Sequence, residues 1–343
     1  MRVGILTGGG DCPGLNAVIR AVGRRALDAD HEVIGILHGW RGLVDEATRP
    51  LSARDISGIL PRGGTILRTS RTNPFSDQES LARVLRNLSG LDALVAIGGE
   101  DTLGVAARLY SEHAAPVVGV PKTIDNDLRG TDYTFGFDTA VTIATEAIDR
   151  LHSTAESHDR VMVCEVMGRQ TGWIAVHAGM AGGADVILIP EHAMTMERCC
   201  ELIAHRHSRG KDFSIVVVSE GYELTFASGE SRRVETRDRD AFGHSRLGGI
   251  GTDVAAEIER QTGFETRVTT LGHVQRGGSP TARDRVLATR YGLRAWDLVE
   301  QGRFGHMTAL RGDEIVAVPL AEAIAALKLV PEELYRQTQA FFG

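Results

Sequence analysis

The 343-residue sequence predicts an α/β protein built from two Rossmann-like domains, each a mostly parallel sheet flanked by helices. Three observations lead there. Short, nearly continuous β-branched runs alternate with amphipathic stretches along the whole chain. Glycine-bearing loops follow several of the runs, and the length suits two domains better than one. Continuous apolar strands must be covered on both faces, which is the condition of a parallel sheet. The expected domains are 1–137 plus about 275–325, and about 138–274 plus 326–343, with the active site in the cleft between them.

Each element has its own warrant. "RVGILT" (2–7) is a strand followed by a glycine loop and the helix-like "NAVIRAVGRRALDA". "HEVIGIL" (31–37), "LDALVAIGG" (91–99) and "APVVGVP" (115–121) repeat the pattern. The second half adds "RVMVCEVM" (160–167), "DVILIP" (185–190), "FSIVVVSEG" (213–221) and "FETRVTTLG" (264–272). The polar, charge-rich stretch 223–246 reads as an exposed excursion, and "PEELYRQTQAFF" as a docking helix with a proline near its start.

Composition limits the function. With 42% hydrophobic and 24% charged residues the chain can bury a large core. Lys+Arg 38 against Asp+Glu 45 gives a net charge of −7, and no basic block or aromatic-basic stripe occurs, so nucleic acid is not an expected partner. An anionic substrate must then be held by local arginines. Lysine occurs only at Lys122, Lys211 and Lys328, so one kept beside a candidate site is notable. Cys12, Cys164, Cys199 and Cys200 lack metal or redox spacing and read as structural thiols. No signal peptide or membrane-length apolar run is evident, so the expected location is the cytoplasm, without a membrane partner.

In parallel sheets, ligands bind beyond the carboxyl ends of strands, so chemistry is sought in the loops that leave them. "TGGGDCPGLNA" (7–17) suits either an anion cradle at a helix N-terminus or a tight strand–helix turn. It matches neither G-x-x-x-x-G-K-[ST] nor G-x-G-x-x-G. "RGGTILRTSRTNPF" (62–75) brings Arg68 and Arg71, and "VPKTIDNDLRGTDYTFGFDTA" (120–140) brings Asp125 and Asp127 beside Thr123 and Asn126. Asx-rich loops often only make turns, but two carboxylates at a strand exit can also divide base and metal duties. "MGRQTGW" (167–173), "SEGYE" (219–223) and "ETRVTTLGHVQRGGSP" (265–280) add Arg169, Glu220, Arg267, His273 and Arg276, which suits a polyol phosphate.

"GGGDCPGLNA", "PKTIDND", "MGRQTGW", "SEG" and "LGHVQRGGSP" together resemble the phosphofructokinases, in the family's order and over essentially the whole chain. The resemblance implies that Asp125 is the general base for the 1-hydroxyl of fructose 6-phosphate, with Asp127 supporting it and Thr123 touching the transferring phosphate or sugar. It implies Gly9 at the phosphoryl donor, Glu100 on Mg²⁺, and Arg71 and Arg169 around the transferring group. Thr123, Ile124, Asp125, Met167, Gly168, Arg169, Glu220, His273, Val274, Gln275 and Arg276 would line the sugar-phosphate site. Arg160 and Arg267 would reach the 6-phosphate of a neighbouring subunit, so a homo-oligomer, as a tetramer, is expected.

The donor is read from "AIGGEDTLG" (96–104). ATP-using relatives usually carry glycine after the acidic metal residue, and often where Lys122 stands. Here Asp101 lies in the path of an α-phosphate, and Lys122 is a compact cation suited to pairing with Asp101 and to binding pyrophosphate. Pyrophosphate is therefore the expected donor. If Asp101 is only a helix N-terminal acid favoured by the dipole, the enzyme uses ATP instead. A dinucleotide oxidoreductase lacks its glycine spacing here. A non-catalytic sugar-phosphate sensor is expected to have lost the base, yet Asp125, Glu100 and Arg169 are present.

Overall fold

The computed structural model describes residues 1–232, 235–239, 242 and 245–343. The chain divides into two compact units: Met1–Thr139, Asp240–His244 and Arg276–Leu327 form one, and Ala140–Arg239, Ser245–Gln275 and Lys328–Gly343 the other.

The first unit is built on an eight-stranded sheet. Its centre is a parallel run in the order His306–Arg311, Val117–Thr123, Ala93–Gly98, Arg2–Thr7, Glu32–Ile36. Glu314–Pro319 and Thr48–Pro50 close the edges antiparallel, and Phe135–Gly136 pairs with Val117–Thr123. Every residue of Ala93–Gly98 and of Val117–Thr123 is buried, as strands covered on both faces require. Each buried Val, Leu or Ile there contributes about 1.5–3 kcal/mol relative to exposure. Trp40, Leu103 and Met307 belong to the same core cluster. The Leu15–Asp28 helix lies close against Ala282–Glu300, since a Cβ on Gly292 would come within 2.7 Å of the Ala21 Cβ and 2.9 Å of the Val18 carbonyl.

The second unit carries a four-stranded parallel sheet in the order Thr266–Thr270, Val161–Val166, Ser214–Ser219, Val186–Leu188. The Glu332–Gln339 helix docks on this unit, as its sequence predicts: Tyr335 is buried and its hydroxyl donates to the Ile187 carbonyl at 2.8 Å. Glu165, in the middle of an apolar run, is buried too. Its carboxylate accepts from the Gly249 amide at 2.9 Å and the Gly251 amide at 2.8 Å, capping the Ile250–Thr262 helix with a negative charge.

All eight β-branched runs became strands, within about two residues of the expected ends. The 223–246 excursion is not wholly loop: Leu224–Thr225 pairs with Ser231–Arg232, and Glu235–Arg239 with Ser245–Leu247, both antiparallel. Gly229 supplies the positive φ (86°) that turns the first of these ribbons. Positions 233, 234, 240, 241, 243 and 244 of the excursion lie outside the described residues.

A carboxyl with a pH signature sits at the start of the Ala282–Glu300 helix. Asp284, 1% exposed, accepts from the Thr139 amide at 2.8 Å and the Thr139 hydroxyl at 2.5 Å. Burial raises its pKa to about 6, and the hydrogen bonds from Thr139 offset this only in part. A folded-state value above the unfolded one means that stability from this group is complete below its ordinary value of 3.8 and is lost as pH rises through about 6. We predict that the stability advantage of wild type over Asp284→Asn shrinks by about 2–3 kcal/mol between about pH 4 and 7, at about 1.4 kcal/mol per pKa unit. Urea midpoints across that range check it, and a pH-independent difference would refute the assignment.

Candidate active site

In the first unit the chain leaves Arg2–Thr7 for one side of the sheet and later returns to Ala93–Gly98 on the other. The two strands are neighbours, with Thr7 opposite Ile97. Their carboxyl ends therefore open on a topological switch point, where a doubly wound sheet offers a ligand crevice. Three consecutive glycines are needed there for three different reasons. A Cβ on Gly8 would lie 2.5 Å from the Thr102 hydroxyl, Gly9 has φ 77°, and a Cβ on Gly10 would lie 2.6 Å from Nη1 of Arg276. The loop is pinned by the Gly8 amide to the Ile97 carbonyl (2.9 Å), the Gly9 amide to the Ser70 carbonyl (3.1 Å), and the Thr69 hydroxyl to the Gly9 carbonyl (2.6 Å). Arg71, exposed, directly follows Ser70. Cys12 is a buried free thiol whose pKa burial pushes far up, and burial holds Cys164 at about 12, so both are inert.

Glu100 and Asp101 form the first turn of the Glu100–His113 helix, both half-buried, behind an extended Gly99 cap. Acids are favoured at that end of a helix. Among the described residues no three His, Cys, Asp or Glu side chains converge as a metal cage. Mg²⁺ needs no such cage: one or two carboxylates and the substrate's phosphate oxygens suffice, and the hard oxygens of Glu100 fit that role.

Lys122 is the last residue but one of a buried strand, is 4% exposed, and donates to the Gly10 carbonyl. Burial draws its pKa below the usual lysine value; Arg276 works in the same direction, and Asp125 and Asp11 oppose it. Thr123, Ile124, Asp125 and Asp127 follow, all buried. The Thr123 hydroxyl accepts from the Asp125 amide at 3.0 Å. Asn126, fully buried with φ 52°, holds this turn: its Oδ1 accepts from the Thr134 amide at 3.1 Å. The signal was in the sequence, since Asn tolerates left-handed backbone, but it marks a scaffold residue. Arg276, expected at the sugar phosphate, belongs to this unit with its guanidinium against Gly10.

In the second unit, Met167 and Gly168 are buried and Arg169 is half-buried. Gly168 has φ 154°, and a Cβ on it would lie 2.3 Å from the Thr171 carbonyl. Arg169 is left-handed (φ 56°) and donates its amide to Glu220 Oε1 at 3.0 Å. A Cβ on Gly221 would come within 1.9 Å of the Arg169 carbonyl, so the two loops interlock backbone to backbone. Gln275, fully buried, accepts from the Met167 amide at 3.4 Å and donates to the Gly272 carbonyl at 3.1 Å. His273 and Val274 are exposed on the same short turn, Gly272–Arg276.

Arg160 and Arg267 are not brought to this group. Arg160 precedes the Val161–Val166 strand that Met167 follows, and such a strand spans about 20 Å. Arg267 is likewise the second residue of Thr266–Thr270. Both arginines bridge Glu265, Arg160 at 2.8 Å, and Arg160 first and Arg267 after it hold that carboxylate below its usual range. Glu265 was missed because one acid beside arginines in an alternating sequence carries no signal of its own.

Known proteins resemble the chain along its full length. The family model described as Phosphofructokinase matches residues 2–299. A "Pyrophosphate--fructose 6-phosphate 1-phosphotransferase" of Amycolatopsis mediterranei is 57% identical over 100% of both chains. An "ATP-dependent 6-phosphofructokinase 2" of Streptomyces coelicolor is 52% identical, again over 100% of both. The phosphofructokinase structure from Saccharomyces cerevisiae superposes with a TM-score of 0.79 at 32% identity; it covers 94% of this chain, which spans 45% of that longer one.

The interlock in the second unit makes its own prediction. Gly221→Ala forces a methyl group into the Arg169 carbonyl, so it should destabilise the protein by about 1–3 kcal/mol, the cost of overpacking. An unfolding midpoint equal to wild type would show that the close approach is not a constraint.

Proposed function

This chain belongs to the phosphofructokinase family, and from that premise we propose that it transfers a phosphoryl group from pyrophosphate to the 1-hydroxyl of fructose 6-phosphate. The products are fructose 1,6-bisphosphate and phosphate, and the reaction runs in both directions. Relatives of similar identity carry either donor in their names, so the donor rests on the residues at the first glycine loop. The observations that carry it are that Asp101 directly follows Glu100 in the first helical turn and that Lys122 is buried with its ammonium on the Gly10 carbonyl. A carboxylate one residue beyond the metal acid repels any further phosphate, while a lysine ammonium binds a short polyphosphate as a point charge.

Asp125 takes the proton of the 1-hydroxyl as the new O–P bond forms and the P–O bond to the leaving phosphate breaks. Thr123, which accepts from the Asp125 amide, keeps that carboxylate in place. Asp127 supports the base, and Gly9 admits the donor to the backbone. Arg71 and Arg169 stabilise charge on the transferring group. Glu100 would hold Mg²⁺, which would supply charge neutralisation there. Met167, Gly168, Arg169, Glu220, His273, Val274, Gln275 and Arg276 recognise the sugar phosphate, as does Ile124 from the turn carrying the base.

We also infer a homotetramer in which Arg160 and Arg267 complete a neighbour's site. The support is their distance along the strands from Met167 and their shared tether to Glu265. No helix among the described residues is long and apolar enough to cross a membrane, and the four cysteines are free and buried, which supports a cytoplasmic enzyme.

Coupled assays with Mg²⁺ and fructose 6-phosphate, given pyrophosphate or ATP, test the reading; turnover with ATP alone refutes the donor. Asp125→Ser should lower kcat by about 10²–10⁴-fold, the usual contribution of a general base, while fructose 6-phosphate still binds by calorimetry. Near-wild-type turnover would remove Asp125 from the mechanism. For the shared site, mixing inactive Asp125→Ser subunits with inactive Arg160→Ala/Arg267→Ala subunits should restore activity, because some interfaces then combine one intact half from each. Mixed oligomers without activity would overturn the sharing.

A further inference from the structure

The Glu100–His113 helix carries Glu100, Asp101, Gly104 and Arg108 at spacings that fall on one side of the helix. With Phe75 and Phe242 these residues line a cavity of about 260 Å³. Its polar end is the acid pair. Its far end is aromatic: the Arg108 guanidinium lies 3.7 Å over the Phe75 ring and is held there by Glu112 at 2.8 Å. Between the two ends Gly104 leaves open space, since a Cβ built on it meets nothing within 4 Å. A donor whose phosphates meet Glu100 and whose remainder is a flat, apolar group would extend along this stripe.

Phe242 interrupts it. This residue comes from the 223–246 excursion, yet it groups with the first unit and packs, half-buried, against that unit's core cluster, as Phe75 does. Clefts that hold ligands the size of a nucleotide measure about 300–1,000 Å³, so the space left beside the Phe242 ring falls short of that range. The Phe75–Arg108 platform is otherwise well suited to a planar base.

We infer that Phe242 is a donor-specificity residue: its ring takes up the apolar space beyond Asp101 that a nucleoside attached to the phosphates would occupy. The inference rests on pyrophosphate being the donor. Asp101 and Phe242 then act by different physics on successive parts of a nucleoside triphosphate. Asp101 repels charge at the first step along the helix, and Phe242 excludes volume at the next. Either device alone blocks the nucleotide, so removing one leaves the other in force.

The experiment compares kcat/KM for pyrophosphate and for ATP in wild type, Asp101→Gly, Phe242→Ala and Asp101→Gly/Phe242→Ala, with ATP binding read separately by calorimetry. Phe242→Leu, a smaller apolar plug, is added in the Asp101→Gly background. Fructose 6-phosphate binding reports that each variant is folded. Volume exclusion discriminates by about 10–200-fold, so the double variant should use ATP at least about 10-fold better than Asp101→Gly alone, and should bind it more tightly. Phe242→Leu should fall between. Equal ATP use and equal ATP affinity with and without the Phe242 ring would overturn the inference. Wild type turning over ATP but not pyrophosphate would instead overturn the donor reading beneath it.

Discussion

Thr102 fills the space that a Cβ on either Gly8 or Gly98 would need, with contacts of 2.5 Å and 2.3 Å respectively. It is 2% exposed and lies one residue after the acid pair. The exits of the two central strands of the first unit are therefore packed around one small side chain. Everything proposed for the donor follows from that closeness. The Gly8 amide can reach the Ile97 carbonyl, Gly9 and Gly10 are carried over the end of the sheet, and Lys122, on the next strand, meets Gly10. A larger residue at 8 or 98 would push the glycine loop away from the helix that begins at Glu100. The glycines here serve packing first, and the proposed anion site is what that packing leaves open.

This division explains what was legible in the sequence. Parallel strands announce themselves because burial on both faces demands continuous apolar runs, and all eight runs are strands, although the parallel strand His306–Arg311 was not among them. The strand exits are legible for the same reason: once the strands are located, the residues after them are the candidate chemistry. Side-chain partners are another matter. Lys122 donates to the Gly10 carbonyl because the glycine loop folds over the strand end, and no spacing along the chain records that partner. Glu165 and Glu265 escaped notice for a related reason. Each bonds backbone amides or an arginine far away in sequence, and only the fold defines those partners.

The second unit solves the same problem with different means. There the loops after Val161–Val166 and Ser214–Ser219 approach so closely that Gly221 has no room for a Cβ beside the Arg169 carbonyl. Glu220 then accepts the Arg169 amide, which orients the backbone of the arginine. A left-handed arginine is costly, about 1–3 kcal/mol, and here it is held by the Glu220 carboxylate on its amide and by Gly221 packed against its carbonyl. Strain of this kind fixes where the side chain starts, which is what recognition of a phosphate requires.

Strand length carries the last step. Arg169 stands after one end of Val161–Val166 and Arg160 before the other, about 20 Å apart along the strand. No rotamer of an arginine covers that distance, so Arg160 and Arg169 cannot grip the same phosphate from within one second unit. Glu265 meanwhile draws Arg160 and Arg267 together, which concentrates positive charge at the amino ends of two adjacent strands. Two arginines held by one carboxylate keep a net positive charge and a fixed spacing, the arrangement that suits a single phosphate arriving from outside. A parallel sheet puts its own ligand site at the carboxyl ends of its strands. Arginines gathered at the opposite ends therefore lie away from that site, and it is on this ground that we propose they serve a second copy of the chain.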